Sequence, residues 1–95
     1  MPLASLRVFV AVAEQLSFSR AAQTLGVSTA AVSQQIRTLE GYLRVPLFLR
    51  RGNSIHLTGQ GSRLLPRVRD ALGQLERSID EARHERRAGA LTVTM

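Results

Sequence analysis

The chain has 95 residues, 44% of them hydrophobic and 21% charged, with no cysteine. That suffices for one small domain, or one domain plus a long accessory element, and it excludes a disulfide framework, a thiolate metal site and cysteine redox chemistry. Thirteen arginines, no lysine and seven acids give a formal charge of +6, a balance that favours a polyanionic partner, nucleic acid or an anionic membrane surface, although a basic soluble protein without such a role has the same composition.

Residues 1–57 carry six arginines against Glu14 and Glu40, whereas residues 58–95 carry seven against five acids, so the excess is greater in the first segment. Using only Arg suits bidentate phosphate and guanine contacts; codon bias gives the same usage. The apolar run VFVAVA at 8–13 is too short to span a bilayer and lacks the flanks of a signal peptide. No membrane partner is expected, and the chain is expected in the cytoplasm.

The first helix is predicted over 3–15, where Leu3, Leu6, Phe9, Val10 and Ala13 recur at three- and four-residue steps. Ser19 is the expected N-cap of a short second helix over 20–25, with Ala21, Ala22 and Leu25 turned inward. Gly26 ends it, because glycine tolerates the left-handed conformation that closes a helix. Val27 is expected to point back to the core and Ser28 to cap a third helix over about 29–43, with Val32, Ile36, Leu39 and Leu43 as its buried stripe.

Pro46 then forbids helix, and the period changes. Phe48 and Leu49, a Gly52-Asn53 turn, and Ile55 and Leu57 alternating with Ser54 and His56 predict a small β-hairpin with Arg50, Arg51 and Asn53 at its tip. Thr58 is the expected cap of a last helix running to about Arg87, roughly 44 Å at about 1.5 Å per residue. Gly61, Leu65, Val68, Leu72, Leu75, Ile79 and Ala82 keep four-three spacing along it, a heptad seam narrower than a globular helix face. A short chain offers little to cover such a seam, so Leu65, Val68, Leu72, Leu75 and Ile79 are predicted to pair with a second copy. Pro66 predicts a kink near Ser62–Pro66, or else a helix that starts at Pro66 after a separate turn. The β-branched ALTVTM at 90–95 predicts a strand, the first piece of a further domain.

Two helices joined by a tight turn at Gly26, with the small Ala22 at their crossing, form a helix-turn-helix pattern over about 18–37. The third helix carries only Ala30, Ser33, Gln34 and Arg37 outward over its first two turns. Acids there would be repelled by phosphate, and small residues let a helix sit deep in a major groove. A three-helix bundle with a quiet exposed face reads the same from this pattern alone, and an interaction module with an amphipathic helix is a second rival. An enzyme is disfavoured: there is no glycine-rich phosphate loop and no paired carboxylate set outside the exposed helix. His56 and His84 have no second ligand at coordination spacing and are expected to be solvated, with no metal site.

LRVFVAVAEQLSFSRAAQTLGVSTAAVSQQIRTLE, then VPLFLR and LTGQG, resemble the N-terminal region of LysR-type transcriptional regulators from about Leu3 to Leu75. LASLRVF and LSFSRAA are most similar to the branch of glycine-cleavage activators and β-lactamase regulators, and the tail GALTVTM resembles the first strand of the family's effector-binding domain. The resemblance implies a mainly α fold: a winged helix-turn-helix over 1–58, a linker helix over 59–88 that pairs antiparallel with its mate, and at 89–95 the start of an effector-binding domain. It implies double-stranded promoter DNA with an interrupted inverted repeat as partner, a homodimer that doubles to a homotetramer in the full-length protein, no cofactor in this chain, and a small-molecule coinducer held by the C-terminal domain.

By motif position Thr29, Ala30, Ser33 and Gln34 fall where the family reads bases, and Ser19, Arg37, Arg50 and Arg51 where it grips backbone; Ser28 and Asn53 complete the expected DNA-contacting set. The chain also departs from the family pattern. Gln34 stands where many members carry Arg, and its amide suits adenine instead of guanine. Thr29 and Ala30 replace a common Gln and a common Pro or Ser. Arg44 replaces a usual glycine, which in a left-handed position costs about 1 kcal/mol. Leu49 replaces a polar wing residue and is expected to be buried.

Overall fold

A computed structural model of the chain describes residues 2–92, with side-chain surroundings for 2–85. Helix α1 (Leu3–Gln15) turns Ser5, Phe9, Val12 and Ala13 inward. This four-three-one stripe includes a serine that apolar periodicity does not register, and it leaves Leu3 exposed. Leu16 closes α1 in the left-handed region at φ 49°, its N–H donating to the Val12 carbonyl.

Helix α2 (Phe18–Leu25) starts two residues before the expected position, and Ser17, not Ser19, is its cap: the Ser17 hydroxyl accepts from the Arg20 N–H at 3.2 Å. The earlier start places Phe18 in the first turn, where its ring meets Phe48 edge-on at 6.1 Å. The helix ends as a Schellman motif. Gly26 is at φ 70° with its N–H on the Gln23 carbonyl at 3.3 Å, and the Val27 N–H donates to the Ala22 carbonyl at 3.0 Å. Contrary to expectation, Leu25 and Val27 are exposed. Ala21 and Ala22 already fill the interior of this two-turn helix, and the turn residues stand at its outer edge.

Helix α3 (Thr29–Leu43) is capped by Ser28, which accepts from the Ala31 N–H at 3.1 Å. Val32, Ile36 and Leu39 are buried, while Leu43, at the helix end, is exposed. Arg44 adopts the left-handed conformation, φ 60°, that a glycine would take without a Cβ penalty.

Strands β1 (Phe48–Arg51) and β2 (Ser54–Leu57) pair antiparallel, with Phe48 opposite Leu57, Leu49 opposite His56 and Arg50 opposite Ile55. Alternation puts Phe48, Arg50, Ile55 and Leu57 on the inner side of the hairpin. Leu49 therefore faces out and is 43% exposed, not buried as expected.

Helix α4 (Gly59–Thr92) is a single element with Pro66 inside it, so no separate turn precedes the proline. Thr58 caps it and ties it to the wing: its hydroxyl donates to the Pro46 carbonyl at 2.7 Å and accepts from the Gly61 N–H at 3.0 Å. α4 continues past the expected end near Arg87 through Thr92. The strand expected over 90–95 therefore does not begin by Thr92, and residues 93–95 lie outside the described residues. Ala90 and Leu91 are strong helix formers, and one interior glycine costs only about 1 kcal/mol.

The core comprises Phe9, Val12, Ala21, Ala22, Val32, Ile36, Leu39, Leu47 and Val68. Val68, on the predicted dimer seam, is only 6% exposed within one chain. The buried Gly61 is also occupied internally, since a Cβ there would collide with the Leu47 carbonyl oxygen. In the first half of the seam Gly61 and Val68 thus have an intrachain partner, while Leu65 and Leu72 are only partly covered by it. Two exposed ion pairs, Arg7–Glu76 and Glu14–Arg69, both 3.2 Å, set α1 antiparallel to α4; at such exposure they define register more than stability. Among the described residues no helix is long and apolar enough to cross a membrane.

Candidate nucleic-acid interface

The cap at Ser28 and the Schellman turn at Gly26 set the angle at which α3 leaves α2, and the interior fixes its rotation. The buried Ser5 hydroxyl donates to Gln35 Oε1 at 2.5 Å, which holds α3 against α1 at the residue next to Gln34. Periodicity gave no sign of this polar tether; the one available signal was Ser5 standing four residues before Phe9 on the inward stripe.

With the helix so oriented, Thr29, Ala30, Gln34 and Arg37 are exposed and Ser33 is half-buried. No acid interrupts this face from Thr29 to Arg37. Glu40 comes one turn later, and its Oε2 accepts from the Leu47 N–H at 2.7 Å and the Phe48 N–H at 3.4 Å. The carboxylate thereby clamps the first strand of the wing to the end of α3.

Ser33, Arg37 and Arg50 line one cleft between α3 and the wing, with a volume of about 210 Å³; Phe18, Ile36, Glu40, Phe48 and Ile55 form the rest of it. Three expected contact residues are therefore brought together. Arg51 and Asn53 stay exposed near the hairpin tip, outside that cleft, and the Arg51 carbonyl accepts from Ser54 Oγ at 3.0 Å. Ser19 is exposed at the start of α2 with its hydroxyl 3.2 Å from that of Ser17. The Ser28 hydroxyl accepts the cap bond from the Ala31 N–H, which leaves its own O–H free to donate. Phe18 was absent from the expected set, yet the Arg50 guanidinium carbon lies 5.6 Å from its ring centroid.

The second expected surface is divided. Leu65, Val68 and Leu72 pack on the chain's own core, whereas Leu75 and Ile79 are 38% and 48% exposed. A groove between α1 and α4 is lined by Val10, Ala11, Leu72 and Gly73 and flanked by the two ion pairs.

A family model described as bacterial regulatory helix-turn-helix protein, lysR family, matches residues 3–62. The chain is 42% identical over 94 residues to the AhcY transcriptional activator HvrB of Rhodobacter capsulatus, covering 99% of this chain and 32% of that protein. It is 43% identical over 94 residues to the glycine cleavage system transcriptional activator of Escherichia coli K12, covering 99% and 31%. The chain spans about a third of the length of these curated relatives. Among solved structures, the BenM DNA-binding domain in complex with catB site 1 DNA superposes with a TM-score of 0.84 at 30% identity, over 88% of this chain and 94% of that one.

Proposed function

Since the chain belongs to the LysR family of bacterial regulatory helix-turn-helix proteins, we propose that it is the DNA-binding and dimerising part of a transcriptional regulator and carries no enzymatic activity. The observation that carries this reading is the acid-free outward face of α3 from Thr29 to Arg37, which runs into the cleft where Ser33, Arg37 and Arg50 meet and where the carboxylate of Glu40 is engaged by the Leu47 and Phe48 N–H groups. α3 enters a major groove with Thr29, Ala30, Ser33 and Gln34 toward base edges, while Ser19, Arg37, Arg50, Arg51 and Asn53 meet the backbone. Residues 1–58 form the reading domain, and α4 is the linker through which two copies pair, by Leu72, Leu75 and Ile79, on an interrupted inverted repeat. In the whole protein a C-terminal domain beyond α4 holds the small-molecule coinducer, and two dimers join as a tetramer. The names of the relatives and the bound DNA of the structural neighbour support this reading.

The test is selection of bound duplexes from a random library by the 95-residue chain at moderate salt. Enrichment of an inverted repeat with half-sites about one helical turn apart is expected; no retention of any duplex would overturn the reading in favour of a protein-interaction module. On the selected site, Gln34→Ala costs about 1–3 kcal/mol and relaxes preference at one base pair per half-site. Equal loss on every sequence would show that Gln34 does not read a base.

A further inference from the structure

We propose that Phe18 is a positioning residue for DNA binding: its ring holds the Arg50 guanidinium beside Arg37, with its charge left free, so that recognition helix and wing meet one backbone phosphate together. The proposal rests on the DNA-binding reading above.

The ring belongs to a chain of aromatic contacts that starts in the core. Phe9 is fully buried and lies 5.6 Å from Phe48, and Phe48 meets Phe18 edge-on at 6.1 Å and 83°. Phe18 and Phe48 both line the cleft, so the cation of the wing rests on a ring that the core itself orients. The Arg50 guanidinium carbon is 5.6 Å from the Phe18 centroid, inside the range in which a cation is attracted to an aromatic face.

An arginine beside a cleft can be held in two ways. A carboxylate would occupy its N–H donors and cancel its charge; a ring restrains it and leaves the charge free. The one carboxylate that lines this cleft, Glu40, accepts from the backbone N–H groups of Leu47 and Phe48. Among the described residues the ion pairs are Arg7–Glu76 and Arg69–Glu14, neither of them in the cleft. Arg37 and Arg50 thus line it without an opposing carboxylate contact. Restraining a long side chain before the ligand arrives lowers the ordering cost of binding, and the hairpin register, Arg50 opposite Ile55, sets the backbone from which it extends.

The experiment is a double-mutant cycle on the 95-residue chain with the selected duplex, reading affinity by fluorescence anisotropy for the parent, Phe18→Leu, Arg50→Ala and the double variant, with Phe18→Tyr as the conservative replacement. Phe18→Leu is expected to weaken binding roughly two- to five-fold, Phe18→Tyr to retain it, and Phe18→Leu to add no further loss in the Arg50→Ala background. Arg50→Ala lowers the salt slope by about one phosphate, and Phe18→Leu leaves it unchanged. The same loss from Phe18→Leu in both backgrounds, or a Tyr variant as weak as the Leu variant, would overturn the proposal. So would an Arg50→Ala chain with full affinity, although parent binding would then leave the DNA-reading function standing; a parent that binds no duplex overturns both. Should Phe18→Leu fail to fold, NMR of the free parent decides. Arg50 Hδ and Hε shifted upfield by the ring support the proposal, and ordinary positions overturn it.

Discussion

The two halves of α4 share one heptad spacing and have opposite fates. From Gly61 to Leu72 the seam is built into the monomer: Gly61 lies against the Leu47 carbonyl, Val68 is in the core, and Leu65 and Leu72 pack onto it. From Leu75 onward the same spacing continues with Leu75 and Ile79 on an exposed surface. A sequence period specifies which residues share a helix face. It does not specify whether that face meets its own chain or another, because that depends on where α1 and the wing come to lie.

Breaking the first half should have the largest effect. Val68→Asp buries an unpaired charge in the core and is expected to cost at least about 3 kcal/mol, read as loss of cooperative thermal unfolding that persists at every protein concentration. A normal melt would mean Val68 does not belong to the monomer core. Gly61→Ala drives a methyl into the Leu47 carbonyl, and overpacking of this kind costs about 1–3 kcal/mol. A melting temperature equal to the parent's would show that α4 can slide away from the wing.

Ile79→Arg sharpens the contrast from the other side. Its side chain is exposed in the single chain, so subunit stability should change by less than about 0.5 kcal/mol. Sedimentation should shift toward monomer, and affinity for an inverted repeat should fall far more than affinity for a half-site. Leu72→Arg is the less clean variant, since Leu72 also packs on the core and both readouts would move together. Unchanged mass and site preference in Ile79→Arg would place the dimer contact elsewhere.

Much of the site was legible in the sequence because its parts are local. The Ser28 cap, the Gly26 turn, the Gly52-Asn53 hairpin and the acid-free face of α3 each depend on residues a few positions apart, where backbone chemistry leaves few alternatives. The errors cluster where two elements compete for one position. Ser17 and Ser19 are both competent caps, and the choice between them falls to the packing of Phe18 on Phe48. Leu49 and Val27 are apolar yet exposed, because strand alternation and a short second helix direct them outward.

Element order, the helix-turn-helix, the wing and the family can all be read from the residues, because they follow from short-range periodicity, capping and turn residues, together with motifs long enough to be specific. Tertiary structure alone decided that Ser5 tethers the recognition helix through Gln35, that Glu40 clamps the wing, that Phe18 rests beside Arg50, and that half of the seam is internal. Each of the three contacts joins residues at least seven positions apart on separate elements, and the inward half of α4 packs against elements far away in the chain. Only the packing of the whole core brings such pairs together.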